Sequence, residues 1–135
     1  MARVANAGLD KTYESAGDLS LCQFTFVKGA PMVAGGQQAQ LTTCGANGRM
    51  VGIQQNTPDA AGLALRVRFD GTSKLLVDGT QGGGIAVGSP LKSDAAGRGI
   101  KAAGDKNHVG AYALEASTAL GDIIEVLIVD MDLAV

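Results

Sequence analysis

Gly62 opens the stretch "LALRVRF", and 59 residues later Gly121 opens "DIIEVLIV". The same interval separates Gly29-Ala30-Pro31-Met32 from Gly88-Ser89-Pro90-Leu91, both Gly-small-Pro-aliphatic, and Val51-Gly52 stands 58 residues before Val109-Gly110. Landmarks that keep their order and their spacing to within one residue mark an internal repeat. Such a chain is built from two similar units, read here over residues 26–69 and 86–129. The two Asp-Ala-Ala-Gly tetrapeptides, Asp59–Gly62 and Asp94–Gly97, lie 35 residues apart and fall outside this register as recurrent turn composition.

The periodicity within each unit is that of strands. "LALRVRF" places Leu63, Leu65, Val67 and Phe69 on one side and Ala64, Arg66 and Arg68 on the other, the period of two of a half-buried strand. "LCQFTFV" alternates as well, with Cys22, Phe24 and Phe26 on one face. Asp70-Gly71 and Asp78-Gly79 bracket "KLLV", a hairpin signature, because these dipeptides accept the positive φ of tight turns.

Units of three or four strands are too small to bury themselves. Two of them close as a small barrel or sandwich that shields their strand edges. "IIEVLIV" is almost continuously apolar, so one face is expected on the core and the other against the sister unit or a neighbouring subunit. Ile123, Glu125, Leu127 and Val129 are thereby expected as a subunit-interface strand. The first twenty residues are small and polar with no sustained period, and read as an extended N-terminal arm (1–20) ahead of a β domain (21–135). The expected class is mainly β with little helix: a single small β-barrel or sandwich domain built from two similar units.

The chain has 135 residues, the size of one ordinary domain. Its hydrophobic fraction is 46% and its aromatic fraction 4%, so the core must be aliphatic. With 20 glycines that core is thin, and self-association is the expected way to hide more apolar surface. A net charge of -2 gives none of the basic field that a nucleic-acid partner requires. No apolar run approaches the roughly 18–20 residues of a membrane span, and "MARVANAGLDKTYESAGD" lacks a signal-peptide core, so no membrane partner is expected. Cys22 and Cys44 have neither metal-ligand spacing nor scaffold density, and read as buried structural thiols of a reducing cytosol.

Chemistry-bearing residues are sparse. His108, the one histidine, stands beside Asn107 in an expected exposed turn, with neither a nucleophile nor an orienting acid to complete a catalytic set. "GTQGGGIAVG" lacks Gly-x-Gly-x-x-Gly spacing and reads as a flexible turn. Asp130 and Asp132 lack the other oxygen ligands of a calcium loop and read as solvated tail carboxylates. Glu115 and Glu125 can be posed as a glycosidase pair, but Glu125 interrupts an aliphatic strand and is better read beside a cation such as Arg66 or Arg68. No catalytic residue, cofactor or metal is expected, and the chain is not expected to be an enzyme. Arg66 and Arg68 form a basic strand face that offers anchors to a docking protein, with Tyr13 as a third contact.

The order of motifs carries a resemblance. "GAPMV" is followed by "MVGIQQNTPDAAGLALRVRFDG", and "VGSPLKSDAAGRGIKA" by "HVGAYALEASTALGDIIEVLIV". Over residues 24–129 this succession of Gly-x-Pro-aliphatic turn, Val-Gly strand, small-residue loop and closing aliphatic strand resembles the capsid decoration, or cement, proteins of tailed bacteriophages. "NTPDAAG" departs from the Ala-rich form of that loop. The resemblance implies a β-rich virion protein without cofactor, commonly a homotrimer, assembled in the bacterial host cytoplasm. It would bind the outer surface of the expanded capsid and bridge major capsid protein subunits, gaining strength from many modest contacts. The N-terminal arm would order on docking or add a strand to a capsid element. A tail or head-fibre base shares the composition. A small carbohydrate-binding β module is disfavoured by the scarcity of stacking rings.

Overall fold

A computed structural model describes residues 9–30, 40–104 and 107–132. Within them the chain forms β1 (Leu9–Ser15), β2 (Phe26–Gly29), β3 (Gln40–Thr43), β4 (Gly52–Gln54), β5 (Ala64–Asp70), β6 (Thr72–Asp78), β7 (Pro90–Ser93), β8 (Gly99–Lys101), β9 (His108–Ala113) and β10 (Leu120–Asp132). A short 3-10 turn at Gln81–Gly83 follows β6.

The strands close into two barrels of one topology. The first runs β1-β3-β2-β4-β5 and the second β6-β8-β7-β9-β10, each last strand returning to the first. Pairing sense agrees strand for strand: β1 with β3 and β6 with β8 are parallel, and the remaining pairs are antiparallel. Register agrees as well. Leu65 faces Tyr13 as Ile124 faces Leu75, and Val67 faces Gln54 as Val126 faces Ala113. The two similar units are thus β1–β5 and β6–β10, each beginning earlier than the repeat read from residues 26 and 86.

The sequence landmarks fare unequally. Gly62 and Gly121 hold: they lie at φ +83° and +90°, where each closing strand begins. Gly29, however, ends β2 whereas Gly88 precedes β7, so these glycines do not correspond, and Pro31 and Met32 lie outside the described residues. Gly52 faces Val27 as Ala111 faces Leu91, which sets Val109-Gly110 one residue out of register with Val51-Gly52.

Other expectations are corrected. Leu9–Ser15, read as part of an arm, is a barrel strand between β3 and β5; residues 1–8 lie outside the described residues. "KLLV" belongs to no hairpin: Gly71 turns the chain at φ +89°, but β6 opens the second barrel and pairs with β10 and β8. The strand expected from Leu21 begins at Phe26, because Phe24 takes φ +63° and the Thr25 hydroxyl donates to the Cys22 carbonyl at 2.6 Å, making a turn. Cys22 and Phe24 therefore share no strand face with Phe26. Leu65 and Val67 are buried as expected, but Leu63 and Phe69 are exposed; Phe69 is the unpaired residue where the register shifts opposite Leu9 and Asp10.

The core explains why the barrels form one unit. A small cluster, Leu19, Val27, Leu41, Leu65 and Val67, fills the first barrel. A larger one joins Phe26, Cys44, Met50 and Ile53 of the first unit to Leu75, Val77, Leu91, Ala111, Ile124 and Val126 of the second. β2 is buried on both faces, with Val27 turned into its own barrel and Phe26 into the shared cluster. Main-chain bonds stitch the junction: the N–H groups of Phe26, Leu76 and Asn47 donate to the carbonyls of Gly97 (2.8 Å), Phe24 (2.7 Å) and Ser93 (2.9 Å). Among the buried hydrophobic side chains described, Phe26 is the one aromatic ring, so the core is aliphatic as the composition demands.

Candidate interaction surface

The chemistry-bearing side chains are dispersed. Asn107 closes the preceding turn by accepting the Gly104 N–H at 3.1 Å, so His108 opens β9 instead of lying in an exposed turn. It is half-buried and its N–H donates to Asn47 Oδ1 at 3.1 Å. Cys22 and Cys44 are free thiols, half-buried and buried, and burial pushes the Cys44 thiol up from its ordinary pKa. Glu115 Oε1 accepts the main-chain N–H of Glu125 at 2.8 Å, so one of the two carboxylates holds the other's backbone. Glu125 lies opposite Lys74, not beside Arg66 or Arg68. Asp130 is part of β10 and pairs with Arg49 at 3.6 Å instead of trailing in solvent, and Asp132 faces His108 in the β9–β10 ladder. Among the described residues no group of three His, Cys, Asp or Glu side chains is placed to hold a metal ion.

The glycine-rich run is pinned at its start. Asp78 accepts the Thr80 hydroxyl at 2.5 Å, the Thr80 N–H at 3.0 Å and the Gln81 amide at 3.3 Å. These bonds, the Thr80 hydroxyl foremost, hold the Asp78 carboxyl below the usual carboxylate range.

Arg66 and Arg68 do project from the outer face of β5, but the face is not simply basic. Asp10, directly opposite Arg68 on β1, receives Arg68 Nε at 2.7 Å, and Arg66 Nε reaches it at 3.4 Å. Arg68 Nη1 also donates to the Thr72 carbonyl at 3.2 Å. One carboxylate thus serves two guanidiniums, leaving about one net positive charge, with Arg66 the more exposed. Tyr13 lies on the other side of the sheet: it faces Leu65, packs on the first-barrel cluster, and has the Lys11 ammonium 5.5 Å from its ring centroid. The three expected contact residues therefore do not make one surface. Asp10 escaped notice because it fell within the stretch read as an arm.

The outer face of β6, β10 and β9 is different in kind. Ile124 and Val126 point into the core, and the alternate residues that flank them turn outward, with Ile123 52% and Leu127 40% exposed. Leu76 faces Ile123 from β6, Tyr112 faces Leu127 from β9, and Leu114, also exposed, follows at the end of β9. The sister barrel does not cover this row. Glu125 sits at its centre opposite Lys74. Val129 leaves the row, because the β9–β10 register shifts between Ile128 and Met131 and Val129 becomes half-buried. Tyr112 and Leu114 were missed as members; the signal was their alternation with Ala111 and Ala113, which are buried.

No family model matches the chain, and no curated protein matches it. Among solved structures, the chain is similar to the head fiber gp8.5 N base of bacteriophage phi29, with a TM-score of 0.67 and 14% identity. The superposition covers 93% of this chain and 97% of that one, so what the two proteins share is the fold across both barrels.

Proposed function

We propose that the chain is a structural, non-enzymatic protein of a bacteriophage virion, one that seats on the outer surface of the expanded capsid and bridges major capsid protein subunits. The double barrel carries the reading, because it is shared over 93% of this chain with a protein named as the base of a phage head fiber. That name equally favours a second reading, in which this chain is itself a head-fibre base. Both readings set a rigid double barrel against the head. A shared core fixes the barrels relative to each other, so docking orders little that is mobile. Repetition over the shell then multiplies modest contacts.

The test is to add the purified chain to expanded heads that lack it and to image the particles. Density at the junctions between capsid subunits across the shell supports the bridging role. Density confined to isolated positions beneath fibres supports the base role, and heads that bind none of the protein overturn both. Deletions that probe the N-terminal segment must stop before Leu9, because removing β1 opens the first barrel.

A further inference from the structure

The chain crosses from the first barrel to the second through one residue: Asp70 ends β5, Thr72 begins β6, and Gly71 stands between them. This joint reads Asp-Gly-Thr, and the same tripeptide recurs at Asp78-Gly79-Thr80. Asn47-Gly48 is a third place where an acid or its amide precedes glycine. Such a pair carries a built-in reaction, because the glycine nitrogen can attack the preceding side-chain carbonyl carbon and no side chain of its own blocks the approach. Whether the reaction runs is set by where the fold directs the two groups.

At two of the three places the fold turns them apart. The Asp78 carboxylate is taken by the Thr80 hydroxyl, the Thr80 N–H and the Gln81 amide, while the Gly79 N–H donates to the Ala119 carbonyl at 2.9 Å. Asn47 Oδ1 accepts the His108 N–H at 3.1 Å, and the Gly48 N–H donates to the Gly45 carbonyl at 3.1 Å. At the joint they are turned on each other. The Gly71 nitrogen lies 3.0 Å from Asp70 Oδ1, with the carboxyl carbon one bond beyond, and Asp70 is exposed to water.

We propose that Asp70 is a site of spontaneous isomerisation at the joint between the barrels. The Gly71 nitrogen bonds to the Asp70 carboxyl carbon, and a carboxyl oxygen leaves as water with the nitrogen's proton, closing a succinimide. Water then opens the ring at either carbonyl. Opening at the side-chain carbonyl restores aspartate, and opening at the main-chain carbonyl leaves isoaspartate, with Gly71 linked through the former side chain. One water is lost and one regained, so the mass is unchanged and no oxidant is needed. The isoaspartate inserts one extra carbon into the main chain of a one-residue joint. There the Gly71 carbonyl is held by the Ile128 N–H at 2.8 Å and the Thr72 carbonyl by Arg68 Nη1 at 3.2 Å. Lengthening the joint pulls against both bonds and loosens the barrels' attachment. The inference is independent of any role on the capsid.

The experiment keeps the full, folded chain in warm, mildly acidic buffer and cuts samples with trypsin, which separates Phe69–Lys74, holding Asp70, from Leu75–Lys92, holding Asp78. The first peptide should split into two chromatographic peaks of equal mass, the new one a substrate for isoaspartyl methyltransferase. It should do so about tenfold or more faster than the second peptide. In urea the two rates should converge, because the tripeptides are identical. Asp70→Asn should lose ammonia at the same place, through the same ring. Asp70→Glu, whose ring would be one carbon larger, should give no second peak. The purified isoaspartate form should unfold at a lower urea concentration than the fresh chain, and aged Asp70→Glu should unfold where it did when fresh. Equal rates at Asp70 and Asp78 in the folded chain, or an isoaspartate form with the fresh chain's midpoint, overturns the proposal.

Discussion

Asp10 and Arg68 face each other across β1 and β5 and meet through two bonds, Nε to Oδ1 at 2.7 Å and Nη2 to Oδ2 at 3.3 Å. With side chains 20% and 24% exposed, the pair is neither fully screened nor fully desolvated. A two-point guanidinium–carboxylate contact of this kind stabilises by about 1 kcal/mol. Asp10→Ala should cost about that much, since it also leaves Arg66 and Arg68 as neighbouring cations. The loss should shrink in about 1 M salt, where the screening length falls to about 3 Å. Urea unfolding at low and high salt measures both; a salt-independent loss would mean that packing, and not charge, joins these strands.

Gly97 is held where a side chain has no room. Its φ is +80°, and a Cβ there would meet Thr43 Cγ2 at 2.6 Å and the Phe26 carbonyl oxygen at 3.0 Å. Gly88 has φ +89° with nothing within 4 Å of such a Cβ. The two positions separate backbone strain from crowding. Gly88→Ala should cost about 1 kcal/mol from the left-handed backbone alone. Gly97→Ala should cost about 1–3 kcal/mol more, because it also wedges the junction between the barrels. Denaturant titrations of the two variants give the comparison, and equal losses would place Gly97 outside the packed junction.

What was legible in the sequence follows from which faces are apolar. β5 was plain because Leu65 and Val67 alternate with Arg66 and Arg68, and β10 because its outward residues are apolar too. β1 was not, since its inward positions are Lys11, Tyr13 and Ser15, and one ring in three leaves no period to read. Ser15 is buried because its hydroxyl donates to the Ala60 carbonyl at 2.6 Å, a bond across 45 residues that no local pattern carries. Asp70-Gly71 read as a hairpin for a related reason: the dipeptide specifies the turn, whereas the destination of the next strand is set by partners in β8 and β10. The apolar row at Ile123 and Leu127 is legible in the sequence, with the sister unit or a neighbouring subunit as its cover; of the two, the sister barrel packs on β2 and β4 instead.

Asp78 gives the chain an acid-sensitive contact. Its folded pKa lies below the ordinary aspartate value of about 3.9. The ionised form therefore contributes stability that is fully present above that value and is lost as the pH falls through the folded pKa. Thr80→Val removes the leading donor, the hydroxyl at 2.5 Å, and keeps the N–H at 3.0 Å. Carbon-13 titration of the Asp78 carboxyl should show its midpoint rise toward the ordinary value in the variant, and acid unfolding should begin at a higher pH. An unmoved midpoint would assign the depression to the Thr80 N–H, the Gln81 amide and the Arg98 charge.

Each barrel carries one of the chain's two tyrosines, Tyr13 in β1 and Tyr112 in β9, and there is no tryptophan, so Tyr112→Phe and Tyr13→Phe yield proteins with one reporter in one barrel. If the barrels were separate folding units, the smaller first-barrel cluster should melt earlier, because it buries fewer side chains. The shared cluster argues otherwise. Phe26 leaves the first barrel to pack among Leu75, Leu91 and Val126, and its N–H is bonded to Gly97, so unfolding either unit exposes the other's core. Both reporters should therefore follow one transition with one midpoint. Phe26→Ala should shift both curves together by about 3–5 kcal/mol. Tyrosine fluorescence against urea makes the measurement, and two midpoints in the single-tyrosine proteins would show that the barrels fold independently.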